Sequence, residues 1–379
     1  MINSYISFFF LIALLGCSKA IAPVDSALDQ QILHFGNGSE PQGLDPHIVT
    51  GVPEHHLLIA MCEGLTISNP RGGENLPGVA KSWTISPDGK IYTFYLQENA
   101  KWSNGDQLTA SDFVWSWMRI LTPSLGSQYP DMLYYVKGAR EYHSWVSDEY
   151  LQSQLLEEEA RLNILKNIKI SELTINASEE LASLELSISL LQNSISNHKP
   201  RPSFQSVGVK AINDYELRVE LTNATPFFIK LLSHYSTYPV HKDTVLKHGT
   251  IDDRNGQWTR PGNFVCNGPM NLKTWELNKE ITVEKNPLYW DASNVRLNEI
   301  RYYPVSNEST EDRMFRAGQL HVTNVVPLEK CPVYIENENP DLRIEPYMGT
   351  YFYRVNTNHP VLKDKRVRLA LAYLSLIHI

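Results

Sequence analysis

Apolar and polar residues alternate in short runs over much of this chain, and turn-forming residues separate the runs. Residues 82–86 (SWTIS) and 91–96 (IYTFYL) flank PDGK at 87–90, so the pattern predicts a β-hairpin turning at Asp88 and Gly89. A second hairpin is expected from residues 206–212 and 215–221, turning at Asn213 and Asp214. Residues 29–37 read as a strand that runs into the turn-rich GSEPQGLDPH at 38–47, and residues 54–63 as a short helix carrying Leu57, Leu58, Ala60 and Met61. After a turn at 100–106, Thr109 or Ser111 is placed to cap a helix over 113–120. Further strands are expected within 270–285, 298–305 and 320–326, with a helix over 309–318. Residues 342–356 look strand-like and tyrosine-rich, and residues 366–373 begin an amphipathic helix. Interleaved hairpins and helices define a mixed α/β class.

Residues 146–197 are different material, rich in Leu, Glu, Ser, Asn and Ile and free of Gly and Pro. Leu181, Leu184, Ile188, Leu191 and Ile195 fall on one side of a helix, and Ser178 before Glu179 and Glu180 marks its start. Leu151, Leu155, Leu162 and Leu165 make a weaker stripe upstream, so an antiparallel helical hairpin is expected. Its default role is structural, and a partner-docking arm is the sharper alternative.

Residues 1–16 contain no Lys, Arg, Asp or Glu, and their apolar run ends at Cys17. That is the shape of a signal-peptide core, too short to span a bilayer. Leu14, Leu15, Gly16 and Cys17 resemble a lipoprotein cleavage box, which makes Cys17 a lipidation site and residues 17–28 a tether. An ordinary signal peptide with an incidental cysteine is the alternative. Cys62, Cys266 and Cys331 lack a C-x-x-C spacing, which argues against a zinc ribbon or redox dithiol and leaves room for one disulfide. A net charge of -8 without a basic stripe excludes nucleic acid as the expected partner. With 379 residues, 42% hydrophobic, more than one core is expected.

The sequence offers no catalytic signature. His55 and His56 beside Glu54 lack the i, i+4 spacing of a zincin, and no G-x-S-x-G, Walker loop or G-x-G-x-x-G occurs. Neither a metal site nor a cofactor is expected. Instead, phrases recur in a fixed order: GSEPQGLDPH, GVPEHHLLIAMCEGL, the run from LPGVAKSW to DFVWSW, NGPMNLKTWELNKEITVEKNPLYWD, RAGQL, YFYRVNTN and RVRLALAY. In this order they resemble the extracytoplasmic solute-binding proteins of family 5, the peptide-binding and oligopeptide-binding components of ABC importers. The resemblance covers residues 29–145 and 203–373 and leaves the segment 146–197 outside it.

The resemblance implies a two-lobed periplasmic-binding-protein-like fold with an extra subdomain. The first-lobe core is expected from 29–62 and 241–347, the extra subdomain from 63–240, and the start of a second lobe from 348–373. The second lobe is expected to be largely missing, and LSLIHI at 374–379 reads as a non-native tail. The expected ligand is an extended peptide, held by its main chain between lobes, its side chains in roomy hydrated pockets. Carried over one position at a time, the ligand-binding residues are Thr50, Val52, Tyr129, His234, Tyr347, Tyr351 and Tyr353. Thr50 stands where an acidic residue can occur, and Phe352 where a hydroxyl is expected. Simple core packing is the alternative for each aromatic. The same resemblance implies a monomer in the periplasm or cell envelope, tethered through Cys17 and serving membrane permease subunits. Lacking the second lobe, the 379-residue chain is expected to bind peptide poorly. Two rivals remain open, an envelope hydrolase acting on peptides or glycans and a sensory or scaffold lipoprotein.

Overall fold

The computed structural model describes residues 22–167, 175–345 and 352–374. The leader, Cys17, Tyr347 and Tyr351 lie outside the described residues. Two units are distinguished, one through Pro327 and one from Leu328 onward.

The first unit opens with helix α1 (Pro23–Gln30), started by a proline and ended by Gln31 in the left-handed conformation. Strand β1 (Ile32–Gly36) follows, then helix α2 (Val52–Met61). The predicted hairpin forms as β2 (Ala80–Ile85) and β3 (Ile91–Leu96). Its turn needs Gly89 at φ 69°, a region that side chains with a Cβ rarely enter. Thr109 caps helix α3 (Ala110–Ile120): its own N–H donates to the Asp112 carboxylate at 2.7 Å, the returning half of a capping box.

The helical hairpin consists of α4 (Asp148–Lys166) and α5 (Ile175–Ser196), so the second helix starts before Ser178. The chain then forms β4 (Val209–Asn213), β5 (Glu216–Glu220), helix α6 (Lys242–His248), β6 (Met270–Glu276), β7 (Glu280–Lys285), β8 (Glu299–Tyr303) and α7 (Glu308–Arg316).

These strands build two four-stranded sheets. One, ordered β2-β3-β5-β4, is antiparallel throughout. The other, ordered β1-β8-β7-β6, pairs β1 with β8 in parallel and the remaining strands antiparallel. Each sheet has its own apolar core. Phe94, Trp102, Phe113, Trp117 and Phe228 fill the first. Leu57, Leu58, Met61, Trp258, Ile281 and Val283 fill the second. Helix α3 serves both: it buries Phe113 and Trp117 in the first, while the Trp117 indole N–H donates to the Thr237 carbonyl at 3.0 Å. Ser116 accepts the Val240 N–H at 2.9 Å from the same helix.

Two expected strands do not form among the described residues. Within 320–326 only one bridge forms, Val322 beside Phe35. Two main-chain bonds flank it, His321 N–H to the His34 carbonyl and Gly36 N–H to the Val322 carbonyl, both 2.8 Å; beyond them side chains intervene, His321 Nδ1 accepting the His34 N–H at 2.9 Å and Glu311 the Asn324 N–H at 3.0 Å. In the second unit, the described residues of 342–356 form no strand. That unit contains helix Cys331–Glu336 and helix α8 (Lys365–Leu374). Cys62 and Cys266 are both buried free thiols.

Candidate ligand-binding edge

The opening loop is fastened from beneath. Leu44, Asp45 and His47 are buried, although the loop reads as pure turn. Arg119, on α3 and wholly buried, donates to both Asp45 oxygens at 2.9 and 2.6 Å and to the Ile251 carbonyl at 3.0 Å. Its fork also donates to His47 Nδ1 at 3.0 Å, which leaves the other ring nitrogen to donate to the Tyr238 carbonyl at 3.1 Å. Burial alone would push the Asp45 carboxyl up; the Arg119 guanidinium outweighs it and holds the group below the usual carboxylate range. Burial and Arg119 together push His47 down to about 4, so the ring is neutral.

From this anchor the chain rises into an exposed edge at Thr50 and Val52, where α2 begins. Val52 is 59% exposed. Behind the edge the Tyr235 hydroxyl donates to the Val49 carbonyl at 3.0 Å. Tyr235 stacks on His234 at 4.4 Å between ring centroids and tilts against His55 at 5.6 Å. Tyr129 meets His234 edge-on at 5.1 Å and Tyr235 at 6.4 Å. Burial, reinforced by nearby His55 and opposed by Asp131, pushes His234 down to about 4. Burial also lowers His55. Both imidazoles are therefore neutral hydrogen-bonding groups at pH 7.

Of the residues singled out from sequence, Tyr129 and His234 thus meet in one aromatic centre, and Thr50 follows Val49, which Tyr235 of that centre holds. Tyr235 and His55, which make that centre, were missed. Their signals were available: Tyr235 follows His234 directly, and His55 sits i+3 from Val52 on a helix. Tyr353 lies in the second unit and is 83% exposed.

A cavity of about 290 Å³ adjoins this centre, lined by His55, Glu63, Ser68, Ser233, Tyr238 and Tyr289 among others. Glu63 is 3% exposed and accepts from the Tyr289 hydroxyl at 2.5 Å and the Trp290 indole N–H at 2.6 Å. Burial pushes its carboxyl up to about 7, against the pull of both hydrogen bonds. The NPLYWD loop is therefore held by the polar tips of two half-buried rings.

Among the described residues no three His, Cys, Asp or Glu side chains gather to hold a metal. An acid–imidazole–hydroxyl chain does occur: Asp106 lies 3.0 Å from His241 Nε2, and Thr244 Oγ1 lies 2.7 Å from Nδ1. Nδ1 also accepts the Thr244 N–H at 3.3 Å, and Thr244 is buried in the first turn of α6. This chain caps a helix.

The profile of bacterial extracellular solute-binding proteins, family 5 Middle, matches residues 75–375. The periplasmic oligopeptide-binding protein OppA of Salmonella typhimurium is 35% identical over 377 residues, 97% of this chain and 58% of that protein. The structure of Burkholderia pseudomallei OppA superposes with a TM-score of 0.69 at 29% identity, covering 91% of this chain and 56% of the other. Haemophilus influenzae OppA in complex with RPPGFSPFR gives 0.60 at 29% identity, covering 82% and 49%. This chain spans just over half the length of the relatives it matches.

Proposed function

Because the chain belongs to the bacterial extracellular solute-binding proteins of family 5, we propose that it serves as the peptide-binding part of an ABC import system in the periplasm or cell envelope. An extended oligopeptide lies against the edge at residues 50–52 and pairs its main chain with the protein's. Thr50 offers a hydroxyl and no charge, so a distant cationic group on the ligand gains no ion pair there. Tyr129 and His234 supply the wall beside it, and the family resemblance adds Tyr347, Tyr351 and Tyr353 as ligand-binding residues. No bond is broken; recognition ends in hand-over to permease subunits, with Cys17 as the lipid anchor.

The observation that carries this reading is the hydrogen bond from Tyr235 to the Val49 carbonyl, because it locks an exposed main-chain edge to the His234–Tyr129 cluster. Neutral rings suit a tolerant site, since they donate or accept without selecting ligand charge. The test is an NMR titration of the chain with tri- to pentapeptides. Weak binding, with Kd about millimolar, is expected to shift resonances of residues 49–55, Tyr129 and His234, and Tyr129→Ala with His234→Ala removes the response. Unmoved resonances would sink the assigned site; micromolar binding would overturn the premise that a second lobe must close on the ligand.

A further inference from the structure

The cavity beside the aromatic centre carries an acid and no base to match it. On its wall Ile59 and Ser68 are exposed, His55, Ile67 and Tyr289 are half-buried, and Glu63 is buried, so the space opens to solvent on one side and ends on the carboxyl. That carboxyl is fixed in place. Asn267 clamps its main chain, accepting the Glu63 N–H at 3.0 Å and donating to the Glu63 carbonyl at 2.8 Å. Tyr289 and Trp290 each donate to a different carboxyl oxygen. As a carboxylate, Glu63 keeps a further lone pair on each oxygen. The Tyr238 hydroxyl on the cavity wall is already engaged, donating to the Ser233 carbonyl at 2.9 Å.

The chemistry of the walls selects what can enter. None of the lining side chains is Lys or Arg, and the His55 ring is neutral at pH 7 because burial lowers it, so a charge on Glu63 has no counter-ion in the cavity. Burial, with Asp291 nearby, is what pushes that carboxyl up to about 7. An anionic ligand group would meet repulsion. A hydrocarbon side chain would cover the acid and leave its remaining hydrogen-bonding capacity empty. A primary ammonium on an apolar stem suits both halves of the wall: it is compact, carries three donors and forms a charge-assisted hydrogen bond with a carboxylate. Its methylenes lie along Ile59, Ile67 and Pro269. The volume of about 290 Å³ is many times what one water needs. We infer that the cavity is a subsite for a primary alkylammonium group, with Glu63 as its counter-ion, filled by a lysine side chain of the bound peptide. The lysine source rests on the peptide-binding reading, through His55, which belongs both to the cavity and to the centre that holds Val49. The cation site itself stands on the cavity alone. Thr50 offers a ligand cation no ion pair, and Glu63 does.

Methyl NMR of the full chain, read at the Ile67 δ1 methyl, tests it by changing the ligand. Ala-Lys-Ala and n-butylammonium are expected to shift this methyl, whereas Ala-Ala-Ala and Ala-Lys-Ala acetylated on its side-chain amine leave it in place. The free-amine peptide binds about tenfold more tightly than the acetylated one, the worth of one hydrogen bond between charged groups. Binding converts the acid to its carboxylate and releases one proton to solvent, so the affinity for n-butylammonium falls about tenfold between pH 8 and pH 6. Among the other groups facing Glu63, burial raises Cys62, Tyr238 and Tyr289 out of this range and lowers His55, so Glu63 titrates ahead of them. Glu63→Gln removes both the lysine preference and the pH dependence while circular dichroism is unchanged. An equal response to free and acetylated lysine overturns the cation site, as does amine binding indifferent to pH. If Ala-Ala-Ala moves residues 49–55 while Ile67 ignores every amine, the subsite fails and the peptide reading stands. If n-butylammonium moves Ile67 and no tripeptide moves residues 49–55, the peptide reading fails and takes the lysine source with it.

Discussion

Arg119 shows how one side chain fixes the geometry of a distant loop. It is 74 residues from Asp45 in sequence, and neither local pattern nor propensity points from one to the other. Removing one partner of a buried pair strands the other, which costs roughly 3–5 kcal/mol, whereas removing both is less harmful. Arg119→Met is therefore expected to destabilise the chain by about that amount in urea titrations, and Arg119→Met with Asp45→Asn by clearly less. Two further buried groups bend the pH profile in opposite directions. His47 has its folded pKa depressed from 6.5 to about 4, so the unfolded chain takes the proton first; its contribution is full above 6.5 and disappears as pH falls toward 4, about 3 kcal/mol in total. Glu63 is raised from 4.5 to about 7, so its contribution is present below 4.5 and is lost as pH rises through 7. Because the two windows coincide, the opposite slopes largely cancel, and unfolding midpoints should change little between pH 4.5 and 6.5. Glu63→Gln should uncover the His47 arm, a rise in stability from pH 4 to 6.5, because the amide oxygen still accepts from Tyr289 or Trp290.

Elements whose information is local were legible before any coordinates. The β2–β3 hairpin announces itself by alternation around Asp88 and Gly89, and the helical hairpin by leucines that recur on one side. The capped start of α3 needed only Thr109 and the residues after it. What stayed hidden depends on partners far along the chain. Residues 320–326 have strand-like composition, yet their main-chain pairing stops after two bonds to β1, because the His34 N–H goes to the His321 side chain and the Asn324 N–H to Glu311. Tyr129 and His234 were named by family resemblance, and their rings meet in the structure; Tyr235, next to His234, was not named, because sequence alone does not show which of two adjacent rings is buried. The same locality predicts that the helical hairpin is separable. With Trp145 already bonded to Lys199 at its base, replacing residues 147–197 by a short Gly linker should leave the thermal transition of the two sheets within a few degrees of the parent, a shift corresponding to less than about 1 kcal/mol. A collapse of that transition would mean that the hairpin is part of the fold's core.

At the scale of the whole molecule, the two sheets are coupled because α3 belongs to both cores and Arg119 ties that helix to the opening loop. Loosening either core removes packing from the helix that the other one needs, so calorimetry of the first unit should give a single transition. The proposed ligand-facing rim inherits this rigidity: Val49 is held by Tyr235 and Asp45 by Arg119, so exposed Thr50 follows main chain that needs no ordering on binding. The second unit follows another rule. Among its described residues none is buried, and Leu328, Ile344, Phe352, Tyr353 and Tyr373 are all more than half exposed. A segment with no buried apolar contact has only its own helices to protect its amides, and helices of 6 and 10 residues are marginal alone. Hydrogen exchange should therefore find residues 328–345 and 352–374 exchanging near the unprotected rate while β3, β5 and β7 exchange only through global unfolding. Strong protection in the second unit would require apolar cover that its own residues do not supply, and a slowing of its exchange on adding peptide would identify that cover as the ligand.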